Sequence, residues 1–204
     1  MKTRLSPALP APLASGLYAA LLADTVAAAG AARADARTLW WASAGAEFAP
    51  PGFGPRFQAG ADLGARLANT FSALLAEPDA TAVVIGSDAP ALTTAHIEAA
   101  FAALEEADVA LGPAADGGYW GIGLKRAAPG LFRDIAWSTD RVLAQTRERA
   151  GANGLRVALL EPLADLDTPA DLAALCGALA RGDAACGPNA RAVLAGLGLA
   201  RAAG

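Results

Sequence analysis

Val83-Val84-Ile85-Gly86-Ser87-Asp88-Ala89-Pro90 is an apolar run that ends abruptly at a carboxylate and a proline. β-Branched residues without polar alternation suit a short strand buried on both faces, as in a parallel sheet covered by helices. Ligands of such sheets sit at the carboxyl ends of the strands. Asp88 follows small Gly86 and Ser87, and Pro90 disfavours helix at Ala89, so its oxygens can face a ligand or metal. The same residue could equally cap a turn or a helix, and the stretch alone does not separate the two readings.

The rest of the chain alternates strand and helix signals. An amphipathic helix is expected from about Pro12 to Ala32, with Leu13, Leu17 and Leu21 at helical spacing, and a strand from Arg37 to Ala42. Residues 46–57 carry too many prolines and glycines for regular structure and read as a loop. A helix over Ala61–Leu75, the strand over Ala80–Ile85, a helix from Thr93 or Thr94 to Glu106 and a strand at Val109–Leu111 follow. Ala115–Leu124 reads as a glycine-rich turn entering a strand, and its glycines allow backbone to approach a ligand. Helices from Ser138 or Thr139 to Ala150, from Thr168 onward and over Pro188–Leu199, with a strand at Leu155–Leu160, complete the pattern. The expected fold is α/β, with a mostly parallel sheet and helices on both faces.

The 204 residues fit one domain over 1–204, since no linker divides them. A net charge of −4 gives no basic field for nucleic acid. Cys176 and Cys186 lack metal or redox spacing and read as unpaired packing residues, which suits a reducing cytoplasm. Met1-Lys2-Thr3-Arg4 and the apolar residues after it imitate a secretory signal, but Pro7, Pro10, Pro12 and Asp24 interrupt the imitation. No uninterrupted strongly apolar span of membrane length is read, and a soluble, cytoplasmic protein is expected.

Dinucleotide and P-loop fingerprints are missing, as is a serine-hydrolase elbow, and the single histidine, His96, reads as solvated and non-catalytic. What remains is a set of carboxylates: Asp88, Asp116 in its Gly-rich turn, and Asp165 and Asp167 after the last strand. Such groups can hold a divalent ion, Mg²⁺ or Mn²⁺, against donor phosphates and support charge on a leaving group. Each also has a plain structural reading: Asp116 as an Asp-Gly turn, Asp165 as a solvated acid, Asp167 as part of a helix start.

Gly86-Ser87-Asp88-Ala89-Pro90, Gly112-Pro113-Ala114-Ala115-Asp116-Gly117-Gly118-Tyr119, Trp137-Ser138-Thr139 and Asp165-Leu166-Asp167-Thr168-Pro169 together resemble the selenodomain-associated transferase family. Gln58, Gly60, Asp62, Leu63, Gly64 and Arg66, and Lys2-Thr3-Arg4-Leu5, also fit it. That family is a branch of the GT-A-like nucleotide transferases, a fold that also serves 2-phospholactate guanylyltransferases. The resemblance implies a GT-A-like nucleotide-diphospho-sugar transferase fold, a metal held by Asp88, Asp165 and Asp167, and nucleotide phosphates met by Lys2 and Arg4. It also implies substrate contacts at Arg66, Gly117, Gly118 and Tyr119, with Asp88 and Asp116 in catalysis.

The activity expected is glycosyl or nucleotidyl transfer from a nucleotide sugar or nucleoside triphosphate to a small acceptor. The alternative is a non-catalytic nucleotide-binding or regulatory module on the same fold. Relatives begin with an apolar strand and a Pro-x-x-Gly loop before the lysine, and this chain is expected to lack both.

Overall fold

The computed structural model describes Leu5, residues 8–42 and residues 49–200. In chain order these form α1 (Ala11–Ala31), β1 (Thr38–Trp41), β2 (Gly54–Phe57), α2 (Leu63–Leu74), β3 (Ala82–Ile85) and α3 (Thr94–Glu106). They continue with β4 (Val109–Pro113), β5 (Tyr119–Leu124), a 3₁₀ turn (Pro129–Phe132), α4 (Val142–Ala152), β6 (Val157–Leu159), α5 (Pro169–Arg181) and α6 (Pro188–Gly196).

The strands divide between a two-stranded sheet, β1-β2, and a four-stranded sheet in the order β3-β5-β4-β6. The expected α/β class is present, but the larger sheet is mixed. β4 and β6 pair parallel, whereas β5 runs antiparallel to both β3 and β4. β3, β4 and β6 therefore share one direction, and β5 is inserted between β3 and β4 against it. β2 lies inside the expected loop. It forms despite Gly54 and Pro55 because its backbone pairs in parallel with β1, Trp41 opposite Phe57.

Helices cover both faces of the larger sheet. On one face Val109, Leu111, Ile122 and Leu124 pack with Leu67 and Phe71 of α2, Leu131 and Phe132 of the 3₁₀ turn, and Ala150 of α4. On the other, α3 approaches so closely that a Cβ on Gly123 would lie 3.0 Å from Leu104 Cδ1.

The two faces exchange residues at one point. Gly112 pairs with Gly121 and Pro113 with Tyr119, so Trp120 is an extra residue, a β-bulge. A bulge interrupts strand alternation and re-aims the side chains beyond it. Trp120 consequently leaves the face of Ile122 and joins Ala89, Leu92, Ile97 and Leu163. Its indole occupies the space that a side chain at Gly112 would need, 2.1 Å from a Cβ built there. Its N–H donates to the Glu161 carbonyl at 3.0 Å. His96 stands edge-on to the same ring, accepts the Thr93 N–H at Nδ1 and lies 3.6 Å from Glu161, so it is a largely buried cap partner and not the solvated residue expected.

α1 corrects another expectation, since it is long and apolar enough, by length and composition, to cross a membrane. Here one face of it is buried and the other, including Leu13, is exposed. Leu17 and Leu21 join Leu166, Leu172 and Leu194, and the buried Asp24 accepts hydrogen bonds from Asn189 N, Asn189 Nδ2 and Ala190 N at the start of α6. Gly187 has to be glycine there, because its Cβ would stand 2.3 Å from Asp24 Cγ. Cys176 and Cys186 are free and pack against this cluster, as expected.

Trp120→Ala should cost about 3–5 kcal/mol of unfolding free energy and Gly112→Ala about 1–3, both read by urea denaturation. A Gly112→Ala protein as stable as wild type would mean that Trp120 can sit elsewhere.

Candidate functional site

The loop after β3 is fixed by its backbone. Gly86 N–H donates to Trp120 O at 2.8 Å, Leu166 N–H to Asp88 O at 2.9 Å and Gly187 N–H to Pro90 O at 2.9 Å. Ala89 and Leu92 are buried against Trp120, which leaves the half-buried Asp88 at the head of the strand. Gly86 gives this carboxylate its room, since a Cβ there would be 2.8 Å from Asp88 Oδ1. Ser87 Oγ reaches Tyr18 of α1 at 3.4 Å.

A second pair of loops is zipped together below it. Ala114 bridges to Leu163, and Ala115 N–H donates to Leu163 O at 3.2 Å. This brings the Asp116 turn against residues 163–167. Leu166 points into the core, so Asp165 and Asp167 flank a buried anchor and remain only half-buried. Burial pushes the Asp165 carboxyl above the usual carboxylate range, and the charges of Asp116, Asp171 and Asp167 push it the same way.

The structure thus brings Asp116, Asp165 and Asp167 into one acidic neighbourhood, and ties Asp88 to it through Leu166. Asp171 belongs there too, although its sequence signal is that of a helix cap. Its Oδ2 accepts from Asp167 N, Thr168 N and Thr168 Oγ1 at 3.1, 2.7 and 2.8 Å, which closes the α5 capping box. Among the described residues, no three His, Cys, Asp or Glu side chains form a ready-made metal cluster.

The remaining expected residues fall in different places. Asp116 Oδ1 accepts the Gly118 N–H at 2.8 Å, so that glycine's donor is used inside its own turn. Gly117, at φ 85°, is pressed against Asp140, whose carbonyl oxygen would be 2.2 Å from an added Cβ. The Tyr119 ring packs with the α2 and α4 core; its buried hydroxyl lies by Thr146 without a closed hydrogen bond, and burial pushes its pKa far up. Thr146 directs its own hydroxyl to Val142 O at 2.8 Å. Arg66 Nε donates to Gly60 O at 3.3 Å just before α2, where Asp62 caps Ala65 N–H at 2.8 Å, and among the described residues no hydrogen bond or ion pair joins it to the acids. Lys2 and Arg4 lie outside the described residues.

Sequence reasoning misses the segment Trp137–Asp140. Trp137 Nε1 would be 2.7 Å from a Cβ on Gly64, and Asp140 seats on Gly117, so this loop joins the start of α2 to the Asp116 turn. Ser138 takes φ 63°, which stops the helix expected from Ser138 and delays α4 to Val142. The signal available in the sequence was the Trp137-Ser138-Thr139 motif itself, which no local rule converts into a contact.

A carboxyl whose pKa is raised on folding stabilises the fold below its ordinary pKa and loses that contribution as pH rises through the raised value. Asp165→Asn should therefore raise Tm at pH 7, and the gain should shrink toward zero below about pH 4. Thermal denaturation at the two pH values reads this directly. An equal gain at both would remove charge repulsion as its cause.

Solved structures share this fold. The crystal structure of a protein from Desulfovibrio desulfuricans G20, named a putative nucleotide-diphospho-sugar transferase, is similar with a TM-score of 0.80 and 27% identity. The match covers 90% of this chain and 81% of that one. The homologue of Mycobacterium tuberculosis rv0371c from Mycobacterium sp. strain JC1 shares the fold more loosely, with a TM-score of 0.52 and 22% identity over 79% of this chain and 83% of that one. No curated protein matches the sequence. A family model matches residues 13–139, more than half of the chain, and the chain belongs to that family, DUF2064, described as an uncharacterized protein conserved in bacteria.

Proposed function

We propose that this protein is a metal-dependent transferase that takes a nucleotide-activated donor and passes a glycosyl or nucleotidyl group to a small acceptor. The observation that carries the reading is geometric: the Ala114–Leu163 bridge sets the Asp116 turn against Asp165 and Asp167, and the Leu166 N–H ties the Asp88 loop to them. Like charges gathered at the carboxyl ends of strands are a costly arrangement unless a cation or a bound substrate relieves it. The 27% identity to the Desulfovibrio protein favours a nucleotide sugar over a nucleoside triphosphate as donor. The wider motif agreement supports placement among the selenodomain-associated transferases.

The residues fit a Mg²⁺ or Mn²⁺ ion of the substrate-bound kind. Mg²⁺ is commonly held by one or two carboxylates plus substrate phosphates and not by a full protein cage. Hard oxygen donors at Asp88, Asp165 and Asp167 match that chemistry without a preformed cluster. The ion, when bound, supplies charge neutralisation on the donor phosphates.

The chain's own residues do the rest. The Asp88 loop, pinned by Leu166 and Gly187, holds its carboxylate at the strand end. Asp116, exposed on a turn fixed by Gly118 N–H, is placed to orient an acceptor hydroxyl and accept its proton. Lys2 and Arg4 are assigned to the donor phosphates by family resemblance.

The test is a thermal-shift panel of nucleotide sugars and nucleoside triphosphates, with and without Mg²⁺ and Mn²⁺, in wild type and Asp88→Asn. One ligand class at 100 times its Kd should stabilise wild type by about 2.7 kcal/mol, only with metal, and should fail to do so in Asp88→Asn. Metal-independent binding that Asp88→Asn leaves unchanged would overturn the role of Asp88.

A further inference from the structure

The four residues Ser138, Thr139, Asp140 and Arg141 are all exposed, yet the segment that carries them is fixed at both ends. Trp137 is wedged on Gly64 of α2, and Ala136 N–H donates to Gln145 Oε1 at 2.8 Å. Thr139 Oγ1 donates to Ala136 O at 2.7 Å and accepts Arg141 N–H at 3.3 Å. At the far end Asp140 rests on Gly117, and Leu143 N–H donates to Gly117 O at 2.9 Å. Ser138 keeps φ 63° in the middle, a left-handed conformation that a non-glycine residue adopts at a cost. Such outliers persist where surrounding contacts over-determine them, and they concentrate at functional sites.

Fixing a solvent-facing polar segment this firmly, with its backbone against the turn that carries Asp116, builds a rim beside the acceptor base proposed above. The rim's one cation is Arg141, whose guanidinium has no hydrogen bond or ion pair among the described residues. It directly follows Asp140, whose backbone rests on Gly117 of the turn that carries Asp116. A planar guanidinium binds an oxyanion through paired N–H donors, which a neutral hydroxyl compound cannot match.

We infer that Ser138–Arg141 is the acceptor-binding rim and that Arg141 selects an acceptor carrying a carboxylate or phosphate group. The acceptor role rests on the transferase reading; the anion site does not.

The test is titration calorimetry of the full chain with glycerol 3-phosphate, glycerate and glycerol, matched probes that carry a phosphate, a carboxylate or no charge. Wild type should bind one of the anions and not glycerol, and the stronger anion identifies the group. Arg141→Gln should weaken that binding at least about tenfold, as expected for lost charge-assisted hydrogen bonds, and Arg141→Lys should recover part of it. Arg147→Gln, an exposed α4 arginine away from the rim, should bind as wild type does, and Arg141→Gln should leave any nucleotide-induced thermal shift intact. Equal anion binding by wild type and Arg141→Gln, or glycerol binding as strong as that of the anions, overturns the inference. Arg141-dependent anion binding without any nucleotide-induced shift would keep the rim and discard the transferase reading.

Discussion

One extra residue in β5 governs the arrangement of the site. Without the bulge, alternation would send Trp120 to the same face as Ile122 and Leu124, into the core of α2 and α4. With it, the indole crosses to the α3 face, fills the space over Gly112 and reaches the Glu161 carbonyl. There it packs against Ala89 and Leu92 from one acid-bearing loop and Leu163 from the other. A buried aromatic therefore sets the separation of Asp88 from Asp165 and Asp167. The same displacement directs Tyr119 toward α4, and so fixes where the Asp116 turn must begin.

Much of the fold is legible because its signals are local. β-Branched Val83, Val84 and Ile85 name a strand; Thr168-Pro169 with Asp171 names a helix start, and the capping box is formed. What is not legible depends on partners far along the chain. β2 is made by β1, which no property of Gly54-Pro55-Arg56-Phe57 announces. The direction of β5 is likewise invisible, since Gly121-Ile122-Gly123-Leu124 alternates in the same way whether its neighbours run parallel or antiparallel. His96 reads as a solvated residue until Thr93, Trp120 and Glu161 are placed around it.

The candidate site divides along the same line. Each carboxylate is conspicuous alone in the sequence, but their convergence is tertiary. It is made by the Ala114–Leu163 bridge and by the hydrogen bond from Leu166 to Asp88. Arg66 shows the opposite case, a residue that sequence motifs place at the site and whose Nε donates to Gly60 O, just before its own helix. Glycines are ambiguous for the same reason. Gly117 and Gly118 permit a ligand's approach in principle, and here the approaching groups are Asp140 and the side chain of Asp116.

Two aspartates, Asp24 and Asp165, are treated differently by this fold. Asp24 is buried, and three N–H groups at the start of α6 converge on its oxygens, so its charge is satisfied by the fold and its role is to hold α1 to α6. Asp165 is less buried, and among the described residues its hydrogen-bond help comes from its own N–H and the charges acting on it are those of Asp116, Asp171 and Asp167. Among the described residues, the groups brought to Asp165 are further carboxylates, the opposite of what α6 brings to Asp24. A cation or a cation-bearing substrate would relieve that gathering of like charge, which falls where strand ends, the exposed Asp116 turn and the Ser138–Arg141 segment meet.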